Sequence, residues 1–383
     1  MPAARQYRVA VIGATGQGNY GHGLDTAFMD VKQAEIVAVV DPDAAGRAAA
    51  GKRLKVDRLF ADYRQMLDAV RPDIVCIGPR WTTDRVAMVQ AAASAGCHMY
   101  CEKPFAGTLA EADAMQAACR AAKVQLAMAH QWRAMPPVQE AIRRVRAGEY
   151  GRLLRIFIRP KDDSRGGGEE LILHGTHLFD LMLAFAGFPQ WVAGHVQVQG
   201  RDALLSDAGE ASEPVGPVAG DTIDARYGFA RGVQGCFTST AGLSGRKPAD
   251  GSKPRFDNLY GVRLECERAL LHLRQPGDVF IYPAPEVLPD LTELKWEQLW
   301  IEDWHFTADH QPRNHRRTWL RTGNQVLAED LIQAIERNRP PLSPIEHAVQ
   351  ITEMVQGTYA SHFAEGRRLP LPLADRQHPL SGS

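Results

Sequence analysis

The sequence has no apolar run of the ~18 residues that a bilayer span requires, no CxxC cysteine pair and no excess of charge of either sign. A formal net charge of −1 leaves nothing to steer the chain toward nucleic acid or an anionic membrane. The partners expected are therefore small molecules and further copies of the chain. Six cysteines (Cys76, Cys97, Cys101, Cys119, Cys236 and Cys266) show no regular spacing, and several stand in apolar strand or helix contexts. That pattern reads as reduced, mostly buried thiols. The opening MPAARQYRVAVIG runs almost directly into an apolar, strand-like segment, with no room for a charged region, an apolar region and a cleavage site. The expectation is a soluble, cytoplasmic protein, and no internal repeat is visible.

What is present is an ordinary globular composition, 45% hydrophobic and 23% charged, over 383 residues. That length suffices for two packed cores. YRVAVIG, EIVAVVD, DIVCIG, HMYCEKP and VQLAMAH are strand candidates, with Ala-rich helical stretches such as DRVAMVQAAASAG and LAEADAMQAACRAAK between them and Gly96 as a helix stop. The alternation predicts a doubly wound parallel α/β domain over residues 1–130. Residues 131–383 read differently: successive strands of period 2 (RLLRIFIRP, VAGHVQVQG, TIDARYGFA, VQGCFTST, YGVRLECERALLHLR, DVFIYPA) predict an α+β domain with a large, mostly antiparallel open sheet. ELILHGTHLFDLMLAFAG, NQVLAEDLIQAIERN and IEHAVQITEMVQGTYASHFAEG are the helices expected to cover one face, with the final segment able to return to the first domain. An uncovered face would join copies into a homodimer or homotetramer. Residues 201–220, rich in Ala, Gly, Pro, Ser and acids, read as a long loop, a lid or a flexible decoration.

VAVIGATGQGNYGHGLDTAF follows the first strand and is expected to open a helix, the setting of a dinucleotide loop. Gly13, Gly16 and Gly18, with Thr15 and Gln17 between them, would let the backbone approach a pyrophosphate. The spacing is GxxGxG rather than GxGxxG, with Gly21 and Gly23 following. Asp41 closes EIVAVVD, further from Gly13 than the roughly 20 positions usual, as a lengthened loop would produce. Its carboxylate would accept from ribose hydroxyls and repel a 2′-phosphate, favouring NAD over NADP, although Arg47, Lys52 and Arg53 stand near. A strand-capping Asp with a solvated side chain is the bland alternative.

The strand end Cys101-Glu102-Lys103-Pro104 and the later GGGEELILHGTHLFD, together with this N-terminus, resemble the Gfo/Idh/MocA family of oxidoreductases. The ending RRLPLPLADRQHPL fits too. The resemblance implies that Lys103 lies beside nicotinamide and substrate hydroxyl and that His177 is the general base. An imidazole suits removal of a hydroxyl proton, and an ammonium suits a developing alkoxide. Glu102 and Pro104 would hold the lysine backbone. Two departures stand out. The aspartate many members carry four residues before the histidine is Leu173 here, with His174 next, so that His174 would replace it, Asp180 would orient His177, or a carboxylate such as Asp162, Asp163 or Glu170 would enter from the loop. Where many members read Thr-Pro-Asn and then a histidine, this chain reads Pro79-Arg80-Trp81-Thr82-Thr83-Asp84, which would put Pro79, Arg80 and Trp81 near the cofactor.

His174 and His177, three apart, can share a helix face, and with Asp180 they resemble a ligand set, but the family chemistry needs no metal and none is expected. His174 is otherwise a satisfied core histidine. Substrate contacts are expected from Lys103, His174, His177, Arg133 at the fifth strand's end, and Lys161 and Asp163 in the loop before Gly166, where a solvated loop is an equal reading. Trp296, Trp300 and Trp304 recur every fourth residue: either a sugar platform, Trp304 foremost, or a core or interface stripe. The expectation is an NAD-dependent oxidation of a ring hydroxyl of a sugar, glycoside or cyclitol, with a glycoside oxidised at its 3-position as the specific candidate. Its rivals are a redox-neutral lyase or hydrolase that recycles NAD, and a sensor that binds without catalysis.

Overall fold

In the computed structural model, which describes residues 5–244, 260–274, 277–283, 295–313 and 318–381, strand β1 (Tyr7–Ile12) is the axis of the first unit. Its Val9, Val11 and Ile12 are buried on both sides, the mark of a central parallel strand. β2 (Ala34–Val40), helix α1 (Ala44–Leu54), β3 (Leu59–Phe60), α2 (Tyr63–Val70), β4 (Ile74–Ile77), α3 (Arg85–Ser94), β5 (His98–Cys101), α4 (Leu109–Ala122) and β6 (Leu126–Met128) follow in order. All five pairings are parallel, and the order is β3-β2-β1-β4-β5-β6. The order reverses between β1 and β4, and the crevice beyond the carboxyl ends of these strands is where such sheets take ligands. Local signals agree: Thr108 and Glu111 form a capping box at α4, and Gly96, at φ 75°, ends α3. β3, α1 and α2 lie outside the elements expected from the sequence.

The glycine stretch after β1 does not open an α-helix. Gly16, Gly18, Gly21 and Gly23 all have positive φ, as does Asn19, and the chain passes through successive turns into a three-residue 3-10 turn, Leu24–Thr26. Residues held in the left-handed region do not propagate a right-handed helix.

The chain divides into two units. The first comprises Met1–Ala134, Ala211–Gly216 and Leu320–Thr352, the second Met135–Glu210, Pro217–Trp319 and Glu353–Ser383. The first unit is thus one leading segment that ends at Ala134 and two later segments that return to it. The helix Trp319–Glu336, expected on the large sheet, belongs to the first unit from Leu320 onward: Asn324 Oδ1 accepts from the Tyr100 hydroxyl (2.8 Å) and from Gln131 Nε2 (2.8 Å). Met128 N also donates to Ser343 O at 2.8 Å. Cross-chain polar contacts of this kind leave no local periodicity to read.

The second unit opens with α5 (Pro136–Arg146) and β7 (Leu153–Arg159), then α6 (Gly168–Leu173), α7 (Gly175–Ala186) and β8 (Trp191–Val198). Short strands β9 (Arg201–Asp202), β10 (Gly209–Glu210) and β11 (Pro217–Val218) break up the stretch read as one long loop. β12 (Thr222–Gly228), β13 (Gln234–Thr240), β14 (Gly261–Cys266), β15 (Ala269–Arg274), β16 (Asp278–Pro283), β17 (Glu297–Gln298), the short helix α8 (Glu302–His305) and β18 (Leu369–Pro370) complete it. Ala284, the last residue of DVFIYPA, lies outside the described residues. Among the described residues the sheet runs β17-β16-β15-β14-β7-β13-β12-β8-β18, with β9 on β8, and only β7–β13 is parallel. Period 2 shows on β12: Ile223, Ala225 and Tyr227 are buried, Asp224 and Arg226 exposed. Tyr227 donates to Met354 O (3.2 Å) and pairs with Thr358 Oγ1 (2.7 Å) of the helix Ile345–Phe363, so that helix covers the buried face from Glu353 onward. The tryptophan stripe is not helical, since only Glu302–His305 coils there. Trp296 and Trp300 are exposed and Trp304 is buried. Five cysteines are buried, Cys236 is half-buried, and all six are free thiols.

Candidate functional site

In the first unit the glycine loop is fitted at two points and open at a third. A Cβ on Gly13 would stand 2.2 Å from the Tyr20 ring, and one on Gly18 2.5 Å from Arg80 N, whereas one on Gly16 would meet nothing within 4 Å. Gly16, flanked by Thr15 and Gln17, is thus the part of the loop with room beside its backbone. Asp41 is fully buried. Its carboxylate accepts from Thr15 N (3.1 Å), Thr15 Oγ1 (2.7 Å) and Asp43 N (3.0 Å), tying the loop after β1 to the end of β2. It is neither a solvated strand cap nor, in this arrangement, an exposed acceptor. Arg47 donates to the Asp41 carbonyl at 2.5 Å, and Arg53 pairs with the buried Asp25 at 2.7 Å.

The turn after β5 is fixed by its own carboxylate. Glu102 Oε1 accepts from Lys103 N (2.9 Å) and Oε2 from His22 N (2.7 Å), with His22 Nδ1 3.1 Å away. Burial alone would raise this carboxyl, but the charge and hydrogen bonds of His22, with the Lys103 ammonium, bring it down to about 2. Lys103 is 6% exposed, and the Lys103–Pro104 peptide is cis.

The turn after β4 carries Pro79, Arg80 and Trp81. Arg80 makes a two-point ion pair with Glu213, Nε to Oε2 and Nη2 to Oε1, both at 3.0 Å. Thr82 N donates to Pro214 O at 3.0 Å, so the segment Ala211–Gly216 is laced to this turn. Glu213 escapes a sequence reading because nothing local links it to a residue so distant in the chain. Arg85, also unanticipated, is 1% exposed at the start of α3 and contacts both turns. A charged residue at the head of a mostly apolar helix was its one signal. Arg133 lies in the 3-10 turn Gln131–Ala134, where its Nη1 donates to Leu342 O at 3.2 Å.

In the second unit three glycines bring the histidines into place. A Cβ on Gly166 would stand 2.4 Å from Ala241 Cα, on Gly167 2.5 Å from Gly220 O, and on Gly168 2.3 Å from Ala219 O. Asp162, at φ 55°, is structural: it accepts from Arg159 Nε (2.5 Å), Ser239 Oγ (2.9 Å) and Thr240 N (3.0 Å). Asp163 pairs with Arg165 at 3.0 Å. Burial works to raise its carboxyl, but the Arg165 hydrogen bonds hold it below the usual range. Glu170, buried on α6, has Arg165 3.4 Å away and accepts from Lys161 N at 3.3 Å, yet burial and Asp163 keep its carboxyl raised. Lys161 itself is exposed.

His174 sits at the break between α6 and α7, and His177 lies one turn on. Their ring centroids are 5.7 Å apart, and both are buried, as is Asp180. The His174 Nε2 is 2.6 Å from the Tyr260 hydroxyl, a partner to which no sequence pattern points. Leu173 is apolar and buried, so the relay position holds no charge. Trp304 is 5% exposed, on α8. Among the described residues no cluster of three or more His, Cys, Asp or Glu side chains is arranged to hold a metal, and no helix is long and apolar enough to cross a membrane.

The open loop at Gly16, beside close approaches at Gly13 and Gly18 and at the strand-order reversal, fits a dinucleotide. Residues 7–130 match the family described as "Oxidoreductase family, NAD-binding Rossmann fold". A D-apiose dehydrogenase of Paraburkholderia graminis is 37% identical over 147 residues, 38% of each chain. The D-glucoside 3-dehydrogenase of Escherichia coli is 29% identical over 197 residues, 48% of this chain and 54% of that one. The matches thus span about half, or less, of these curated relatives. A levoglucosan dehydrogenase solved with NADH and levoglucosan shares the fold, with TM-score 0.74 and 18% identity over 96% of this chain and all of that one. Over residues 7–130, the part that carries the glycine loop and the Glu-Lys-Pro turn, this chain is similar to the Gfo/Idh/MocA family of oxidoreductases.

Proposed function

We propose that the protein is an NAD-dependent dehydrogenase that oxidises a ring hydroxyl of a sugar, glycoside or cyclitol. The observation that carries this reading is the Glu102-anchored turn that presents Lys103 beyond β5, in the same crevice as the glycine loop. NAD, when bound, supplies the acceptor for the hydride. The loop Thr15-Gly16-Gln17-Gly18, open at Gly16, would lie along its phosphates, with Pro79, Arg80 and Trp81 bordering it. Engagement of Arg47 and Arg53 within the protein leaves little to attract a 2′-phosphate, which supports NAD over NADP.

The chemistry required of the chain is removal of one hydroxyl proton and stabilisation of the oxygen left behind. We assign the proton to His177 and the stabilising charge to the Lys103 ammonium. His174, held by Tyr260, stands where the carboxylate relay is missing. Lys161, Asp163, Arg133 and Trp304 are weaker candidates for sugar contact, since the carboxylate of Asp163 and the guanidinium of Arg133 already bond within their own units. Oxidation of a glycoside at its 3-position is the specific activity to try first, because the E. coli relative carries that name. The cytoplasm is the compartment we assign. The exposed face of the large sheet is the surface we assign to a homodimer or homotetramer, which light scattering tests.

The test is a panel of sugars and glycosides with added NAD, followed at the reduced-nicotinamide absorbance, for wild type, Lys103→Ala and His177→Asn. Continuous reduction by wild type, lost about 1,000-fold or more in both variants, supports the reading. Product without net reduction would point to the redox-neutral rival, and unchanged turnover in Lys103→Ala would overturn the assignment.

A further inference from the structure

We infer that Arg85 is a positioning residue whose single guanidinium sets the two cofactor-side turns, fixing the backbone on both sides of Lys103 and on both sides of Arg80. Its Nη1 donates to Glu102 O at 2.5 Å and Pro104 O at 3.0 Å, the carbonyls flanking Lys103. Its Nη2 donates to Pro79 O at 2.5 Å and Trp81 O at 3.4 Å, the carbonyls flanking Arg80. The Cys101 sulfur, 3.3 Å from Nη1, is a fifth acceptor, and Nε is buried with no hydrogen-bond partner among the described residues.

A buried cation costs several kcal/mol unless it is compensated, and the usual compensation is one carboxylate. The acceptors named here are four backbone carbonyls and a sulfur, drawn from two turns that follow the adjacent parallel strands β4 and β5. A charge needed only for packing would have no reason to divide its two terminal nitrogens between those turns. The planar fork of arginine can span them, whereas the point charge of lysine cannot. With the peptide planes on either side of Lys103 and Arg80 turned toward one buried centre, both side chains leave a fixed backbone. This is the preorganisation that cofactor positioning requires. Glu102 braces the same turn from the other side through Lys103 N and His22, so Arg85 and Glu102 clamp it between them.

The inference rests on the nicotinamide-nucleotide reading, and its test separates the two. Full-length Arg85→Lys and Arg85→Gln are compared with wild type by circular dichroism, by NADH titration following protein fluorescence, and by sugar kinetics. Arg85→Lys keeps the buried charge but loses the span. The expected result is native circular dichroism, NADH binding weakened about tenfold and kcat lowered about tenfold, with the sugar KM within about twofold of wild type. Arg85→Gln reaches one turn without burying a charge and is expected to behave the same way. NADH binding and kcat within about twofold of wild type in either folded variant overturn the inference while leaving the cofactor reading intact.

Should neither variant fold, wild type without nucleotide decides by hydrogen exchange. Slow exchange, matching that of β4 and β5, at the amides of Trp81 and Phe105, which are not held by Glu102 or Gly18, supports the clamp, and exchange as fast as exposed loop amides overturns it. A wild type that binds no NADH sinks the reading and the inference together.

Discussion

Glu102 Oε2 accepts from both the backbone N–H of His22, at 2.7 Å, and faces its ring Nδ1, at 3.1 Å, joining the glycine loop to the Glu-Lys-Pro turn across 80 residues of sequence. The carboxyl falls from an ordinary 4.5 to about 2 against the opposing effect of complete burial, so the folded protein holds the charged form far more tightly than the unfolded chain does. A folded-state value below the unfolded one gives stability that is complete above about pH 4.5 and is lost as pH falls through about 2. The shift corresponds to about 3 kcal/mol. Glu102→Gln is therefore expected to unfold at lower urea at pH 7, with the gap to wild type closing progressively below pH 4.5. Taking the difference between the two proteins cancels other acid-sensitive groups, such as His272, which burial lowers to about 4. A gap independent of pH would show that the carboxylate charge is not what Gln removes.

Arg80 and Glu213 meet with two parallel hydrogen bonds but are about a quarter exposed, with side-chain exposures of 28% and 21%. Solvent screening therefore limits the pair to about 1 kcal/mol despite its geometry. In a double-mutant cycle of Arg80→Ala and Glu213→Ala, followed by urea unfolding, a coupling of about 0.5–1 kcal/mol is expected. A coupling near zero would mean that Pro214, through Thr82, secures the 211–216 segment without the ion pair.

The parallel sheet was legible because buried central strands such as YRVAVI and IVCI are continuous apolar runs bounded by turn residues. Lys103 and His177 were singled out as candidates because their neighbours form motifs. The residues that hold them were not. Arg85 finds its acceptors on carbonyls, which every residue possesses, and Glu213 and Tyr260 reach their partners only after the chain has folded. The glycine loop misled for a related reason: its glycines were correctly read as conformational freedom, but that freedom is spent on turns rather than on starting a helix. The tryptophans recur at helical spacing along a segment that coils only over Glu302–His305, so period alone was insufficient there.

Tyr260 is held at its backbone as well as its hydroxyl. His272 Nε2 lies 3.0 Å from the Tyr260 carbonyl, and its Nδ1 accepts from Arg274 Nε at 3.1 Å. Burial lowers His272 to about 4, so above that pH the ring is neutral and Nε2 carries the hydrogen donated to Tyr260 O. Burial also raises the Tyr260 phenol well above its ordinary value, so the hydroxyl facing His174 keeps its proton. Tyr260→Phe removes the hydrogen bond to His174. With His174 in the proton path, kcat is expected to fall about tenfold at constant sugar KM, with a stability loss of about 1–2 kcal/mol. The same loss of stability with unchanged kcat would make His174 a core histidine.

The last prediction concerns nucleotide choice, where sequence and structure give Asp41 different work. Read from sequence, its carboxylate bonds ribose and repels a 2′-phosphate, so Asp41→Ala should turn the protein toward NADPH. In the structure the carboxylate is fully buried and holds Thr15 by N and Oγ1, so the same substitution releases the glycine loop instead. Two of the nearby cations are already engaged: Arg47 is bonded to the carbonyls of Asp41 and Pro42, and Arg53 to Asp25. The expected outcome for Asp41→Ala is NADH binding weakened about tenfold with no gain in NADPH binding, measured by titrating both nucleotides. A variant that instead binds NADPH better than NADH would mean that bound nucleotide draws Asp41 away from Thr15 onto the ribose. Discrimination would then lie in the carboxylate's charge rather than in the loop it anchors.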